Sequence, residues 1–302
     1  MLEQIDPTSR LCDRNVQTSR TSSCDRHATI TMPVNPFKFG TGPWDESHRF
    51  QTSWLLPPYV LFGFRALFSL YILTTLLYNI GHSCASDACS TARTSFSYFT
   101  VLTYWGLFFY FLFSSIHTLS YAHHSSTPLQ SWPRPLQALH SLLYTCTTVF
   151  PFVVTIVFWA LLSSPTTLST TYSAWSNISQ HALNSFFALF EIVVPRTNLR
   201  PWVHIPFLLF ILALYLALAY VTDATKGFYT YSFLDPGLQG GLVAAYVFGI
   251  AIGFCVVFSV VQGLIWVRRR ITEGRGKGVG YRGADGDADR EKEKNGSQDI
   301  PV

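Results

Sequence analysis

The stretch GLVAAYVFGIAIGFCVVFSVVQGLIWV, residues 241–267, stands directly before Arg268-Arg269-Arg270 and contains no Lys, Arg, Asp or Glu. A hydrocarbon core about 30 Å thick needs roughly 20 consecutive apolar residues in a helix, and this run exceeds that. A surface helix of a soluble domain keeps a polar stripe opposite its apolar face. Here Ser259 and Gln262 are the main interruptions. The run therefore reads as a membrane span that stops on a cationic cluster at one interface.

Five more apolar segments precede it, at about 58–80, 97–121, 137–163, 178–195 and 202–222. The fourth is the most interrupted, by His181, Asn184 and Glu191. Only 13% of the 302 residues are charged, against about 25% in an average soluble domain. Between Pro57 and Val267 the only charged side chains are Arg65, Asp87, Arg93, Arg134, Glu191, Arg196, Arg200, Asp223, Lys226 and Asp235. The expected fold class is all-α, a six-helix transmembrane bundle over 56–267. Polar tails at 1–55 and 268–302 flank it and are expected to be disordered. Trp44 and Trp54 would mark the interface before the first span. Nothing in the first thirty residues has the pattern of a signal peptide, so insertion is expected to depend on the first span.

Basic residues set the orientation. With a cytosolic N-terminus, every Lys and Arg outside the spans faces the cytosol except Arg93 and Lys226. Both termini are thus expected in the cytosol, and the sequence does not distinguish the endoplasmic reticulum from the plasma membrane. The partner implied is the lipid bilayer. The net charge of +4 lies mostly in the tails and gives no reason to expect nucleic acid. Cys84 and Cys89 share one short loop on the opposite side, where an oxidising compartment would allow a local disulfide. The sequon Asn177-Ile178-Ser179 falls on that side too, close to the membrane. Imidazoles at His117, His123, His124 and His140 lack the spacing of a haem or di-iron site, so no metal and no cofactor is expected. No internal repeat is present, which argues against a transporter.

Polar side chains inside a span need a reason. Those of the fourth span have a plain one, hydrogen bonding to neighbouring helices. Depth suggests more. The second and fourth spans enter from the same side, with Thr100 a few residues into one and His181 a few into the other. Thr103 lies one turn below Thr100 on the same helix face. A hydroxyl beside an imidazole is the minimum nucleophile and general-base pair. Glu191 is about 15 Å deeper than His181, at the depth of Arg65, and the two are expected to form an ion pair. Tyr231 would donate to a developing oxyanion if its loop folds inward.

Three segments then carry a resemblance. Ser97-Tyr98-Phe99-Thr100-Val101-Leu102-Thr103-Tyr104-Trp105 resembles the opening of the second span in the androgen-induced integral membrane hydrolases. His181-Ala182-Leu183-Asn184-Ser185 followed by Glu191 is similar to their fourth span, where a His precedes a carboxylate by ten positions. Gly227-Phe228-Tyr229-Thr230-Tyr231-Ser232-Phe233-Leu234-Asp235 resembles their loop before the sixth span, with Ser232 in place of a proline. The related rolling stone proteins share this layout, and the Asn184-Ser185 and Leu234-Asp235 pairs are nearer to that branch.

The resemblance covers roughly 58–267. It implies six spans and intramembrane hydrolysis of fatty acid esters of hydroxy fatty acids, with Thr100 as nucleophile and His181 as general base. Thr103 remains the alternative nucleophile. A long-chain lipid ester would reach such a site laterally, its acyl chain solvated by Phe108, Phe109, Phe111, Phe113, Phe150, Phe152 and Phe158. The rolling stone branch implies instead a non-enzymatic membrane scaffold tied to cell fusion, in which Thr100 and His181 only bond between helices.

Overall fold

The computed structural model describes residues 44–86 and 88–273, which lie in one compact unit, Gly40–Val302. The segments 1–43 and 274–302, with Cys12, Cys24 and most of both expected tails, lie outside the described residues. Apart from one isolated bridge, Ser53 to Pro195, the regular structure described is helical.

Helix α1 (Pro58–Ala85) begins with proline at its first position, where a missing N–H costs nothing. The short α2 (Cys89–Thr94) leads through a 3₁₀ turn to α3 (Phe99–His124), which stops at left-handed Ser125. After α4 (Pro128–Ser131), α5 (Arg134–Val157) runs on through a π-helical turn, Phe158–Leu162. Next come α6 (Thr171–Ile178), a second π-helical turn (Ser179–Leu183) and α7 (Asn184–Val193), which together make one continuous rod. Helix α8 (His204–Lys226) ends at Gly227, whose φ of 73° favours glycine. The short α9 (Pro236–Gln239) precedes α10 (Leu242–Glu273).

Five helices are long and apolar enough to cross a membrane: Pro58–Ala85, Phe99–His124, Arg134–Leu162, His204–Lys226 and Leu242–Glu273. The α6–α7 rod is not among them by composition, yet it runs the full length of the bundle. Near its start, the Tyr172 hydroxyl donates to Asn79 Oδ1 at the end of α1 (3.1 Å). Just past its finish, Val194 O accepts from Ser53 Oγ ahead of α1 (2.8 Å). The long rods alternate in direction, and the described chain starts and stops at the same end. There Arg49 pairs with Glu273, Arg196 N donates to Thr52 O, and Gln262 bonds with the Arg200 backbone.

Helix α5 is central, in contact with α3, α7, α8 and α10, while α1 packs along α3. Phe68 knits the first group together, its ring against Phe111, Phe187 and Phe190. Such pairs add about 0.5–1.5 kcal/mol beyond the area they bury. The most apolar stretches of α8 and α10 are only 22% and 11% buried. Their outward faces carry Phe207, Phe210, Leu214, Phe248, Ile252, Val256 and Val260, a surface suited to lipid rather than water.

Folded structure extends past the expected bundle at both ends. Residues 44–57 fold onto the end of the bundle. Trp44 stacks on Phe50, and the Asp45 carboxylate accepts from the amides of Arg49 and Phe50. Phe50 is buried against Tyr144. Two aromatic anchors in a polar run were too sparse a pattern to announce this cap. At the other terminus the helix continues through the arginine cluster to Glu273.

Candidate functional site

The start of α3 places Thr100 on the wall of a cavity of about 270 Å³ enclosed by α5, α8 and α10. The lining is apolar, with Val153, Val157, Leu212 and Phe254 in its body. Its hydroxyls come from Thr100, Tyr215 and Tyr231. Tyr215 is held by Ser97 O and Thr230 Oγ1, both at 3.2 Å. The 227–235 loop does fold inward, so that Tyr231 shares the cavity wall with Thr100. Burial pushes the Tyr231 phenol above its usual range. Phe248, 69% exposed, shares its wall with an outer groove along α8 and α10, so the cavity opens sideways from the bundle.

His181 sits in the second π-helical turn and is buried. Its ring lies flat on Phe158, with centroids 3.5 Å apart and planes within 1°. Phe158 belongs to the other π-helical turn and also lines the cavity. The imidazole thus has one face covered by a residue of the cavity wall. Trp159 Nε1 pins the turn by donating to His181 O (2.9 Å). His181 Nδ1 is buried without a hydrogen bond, and among the described residues no hydrogen bond joins His181 to Thr100. Asn184 and Ser185, just after the turn, meet Thr155 of α5 at 3.1 and 2.7 Å.

Thr103 faces elsewhere. It lines a second apolar cavity of about 320 Å³ with Leu107, Thr147 and Phe150, and its hydroxyl donates to Phe99 O (2.9 Å). Phe99 and Tyr215 belong to the walls of both cavities.

Toward the opposite end, Arg65 and Glu191 form a two-pronged ion pair with both N–O distances 2.8 Å, and both side chains are fully buried. Tyr110 donates to the same carboxylate (2.9 Å), while Arg65 also donates to Phe50 O and Thr118 Oγ1. Arg268 extends the network by donating to the carbonyls of Ile192, Pro195 and Thr197, which satisfies the end of α7. Arg200 lies over the Tyr144 ring at 4.0 Å, and burial lowers its basicity.

Cys84 and Cys89 are joined as a disulfide. Asn177 donates to Thr167 O and Ser173 O from within α6. His117 is buried with neither ring nitrogen bonded, 5.5 Å from the His140 ring, and among the described residues no three metal-type side chains converge. A threonine–histidine hydrogen bond does occur, between Thr145 Oγ1 and His204 Nδ1 at 2.7 Å. It lines neither cavity, and no spacing in the chain announces it. Tyr215 and the Phe158 cover of His181 were equally silent, because aromatics are common throughout the spans.

No protein-family model, curated protein or solved structure matches this chain, so the case for what it does rests on these residues and their resemblance.

Proposed function

We propose that this chain is a six-span membrane protein with both termini in the cytosol, and that it cleaves a long-chain lipid ester with Thr100 as nucleophile. The observation that carries the proposal is the presence of Thr100 and Tyr231 on one wall of a laterally open, otherwise apolar cavity. The α6–α7 rod would be the sixth span, its polar residues turned to the bundle interior. The two cavities that share Phe99 and Tyr215 suit an ester with two hydrocarbon arms, such as a fatty acid ester of a hydroxy fatty acid.

Thr100 Oγ would attack the ester carbonyl carbon and pass its proton to His181, with Tyr231 donating to the oxyanion. Collapse would break the bond to the alcohol oxygen, which leaves with the proton from His181. Water would then hydrolyse the acyl-threonine, release the fatty acid and restore the hydroxyl. This course requires the Phe158 ring to swing off the imidazole, and the present arrangement is then the resting form.

Hydrolysis of a long-chain ester by the full chain in nanodiscs tests the proposal. Thr100→Ala and His181→Ala should each bring turnover to background, and Tyr231→Phe should lower kcat about 100-fold, the usual cost of one oxyanion donor. Retained turnover in Thr100→Ala or His181→Ala, with the melting temperature unchanged, would contradict it. One observation favours a scaffold of the rolling stone type instead: His181 packs as an aromatic disc on Phe158 with no hydrogen bond to Thr100. In that case no variant hydrolyses ester, and His181→Phe melts like the native chain.

A further inference from the structure

A third cavity, of about 170 Å³, lies at the Thr100 end of the bundle but on another side of α3, between α1, α2 and the α6 rod. Its wall differs in kind from the other two. Asn79, Ser83, Thr91, Ser95, Ser176 and Gln180 supply amides and hydroxyls, beside the rings of Trp105 and Tyr172. No Lys, Arg, His, Asp or Glu lines it.

The hydrogen bonds within this wall are only half made. Asn79 Oδ1 is taken by the Tyr172 hydroxyl (3.1 Å), which leaves its amide NH₂ without a partner among the described residues. Gln180 Nε2 is spent on Ser176, at 3.3 Å to the carbonyl and 3.0 Å to the hydroxyl, which leaves Oε1 open. Ser83 Oγ and Thr91 Oγ1 likewise have no partner there. None of these four groups is sealed off from solvent. Two of the rigid supports are covalent or stacked: the Cys84–Cys89 bridge holds α2 to the end of α1, and His82 stacks on Tyr172 at 3.6 Å.

We infer that this cavity binds a neutral polyhydroxylated ligand, a sugar ring or polyol. A vicinal diol both donates and accepts at each oxygen, which matches a wall offering an amide NH₂, an amide carbonyl and two hydroxyls. A guest that enters must replace the water on these groups, and one that both donates and accepts does so without leaving them unpaired. With no cation in the wall a phosphate gains nothing, and with no carboxylate an amine gains nothing. The Trp105 and Tyr172 side chains add an aromatic part to the wall, as sugar sites have for the C–H side of a ring. The size admits one small ring. Val101 and Gln180 adjoin Thr100 and His181 in the chain, so the site reports on the same two elements without sharing their cavity.

The ligand could be a free sugar or the headgroup of a glycolipid, and two arms separate these. Full-length chain in phosphatidylcholine nanodiscs is titrated with tritiated D-glucose, and in parallel with a glucosylated single-chain lipid. Saturable binding in the first arm identifies a free-sugar site, and in the second alone a headgroup site. In either case Asn79→Ala and Gln180→Ala should weaken binding at least tenfold while the melting temperature holds. Glucose should be distinguished from an epimer, as general stabilisation by solutes would not do. Non-saturable binding in both arms, or equal binding by both variants and the native chain, would leave a cavity filled by water alone and overturn the inference. Asn79→Leu and Gln180→Met, which keep the volume but offer the ligand no amide, serve if an alanine variant fails to fold, with the same tenfold loss expected. Failure here leaves the ester-hydrolysis proposal untouched, because neither variant lines the cavity of Thr100.

Discussion

Arg65 and Glu191 face each other with no exposure to solvent, and each has further partners: Thr118 and Phe50 O for one, Tyr110 for the other. Burying two charges is costly, so such a pair adds little net stability, but removing one partner strands the other. Glu191→Leu and Arg65→Met should each cost about 3–5 kcal/mol of unfolding free energy. The double variant Arg65→Met with Glu191→Leu should cost less than either single change, as a denaturant titration in detergent would measure. Strictly additive losses would contradict the coupling. The sequence marks these two residues because they are the deep charges of the spans. Nothing in it marks Tyr110, Tyr144 or Thr197, whose types are ordinary in any helix bundle. Thr100 was legible from its depth, but the face of α3 it occupies was not, since apolar residues surround the helix on every side.

The same limit holds for whole elements. Long apolar runs give away α1, α3, α5, α8 and α10 directly, because length and composition are all that a bilayer demands of them. The α6–α7 rod is less legible. Its polar residues dilute the signal, and its apolar stretch begins only at the π-helical turn. That turn and the one at Phe158–Leu162 each accommodate an extra residue in a helix, and hydropathy carries no trace of such a shift. The two turns meet through Phe158 and His181, which is what aims the imidazole. If the rod is a span, a cysteine at Ser169 and one at Asn198 should be labelled by an impermeant maleimide from opposite sides of sealed vesicles. The test uses a background lacking Cys12, Cys24, Cys146 and Cys255. Labelling of both from one side would remove the sixth span.

Across the molecule, charge and apolar surface are divided by place. Arg49, Arg196, Arg200, Arg268, Arg269 and Arg270 gather at the end where the described chain starts and stops. The other end has Lys226 beside Ser97, and the disulfide. Between them lies the belt of exposed apolar side chains on α8 and α10, through which the Thr100 cavity opens. Composition alone foretold the belt and the charge bias. The cavity depends on how α3, α5, α8 and α10 converge from distant parts of the chain, and it became visible only in three dimensions. The resemblance proposed Thr100 and His181 together, whereas the structure puts Thr100 on one cavity wall with Tyr231 and lays Phe158 over His181.

The most direct measurement is covalent. The full chain in nanodiscs is mixed with a long-chain p-nitrophenyl ester, quenched in acid within the first turnovers, digested and mapped by peptide mass. An acyl group on the peptide bearing Thr100, lost in Thr100→Ala, is the expected result. A folded chain that turns over ester without acylating that peptide, or that acylates equally in Thr100→Ala, would contradict the assignment of Thr100 as nucleophile.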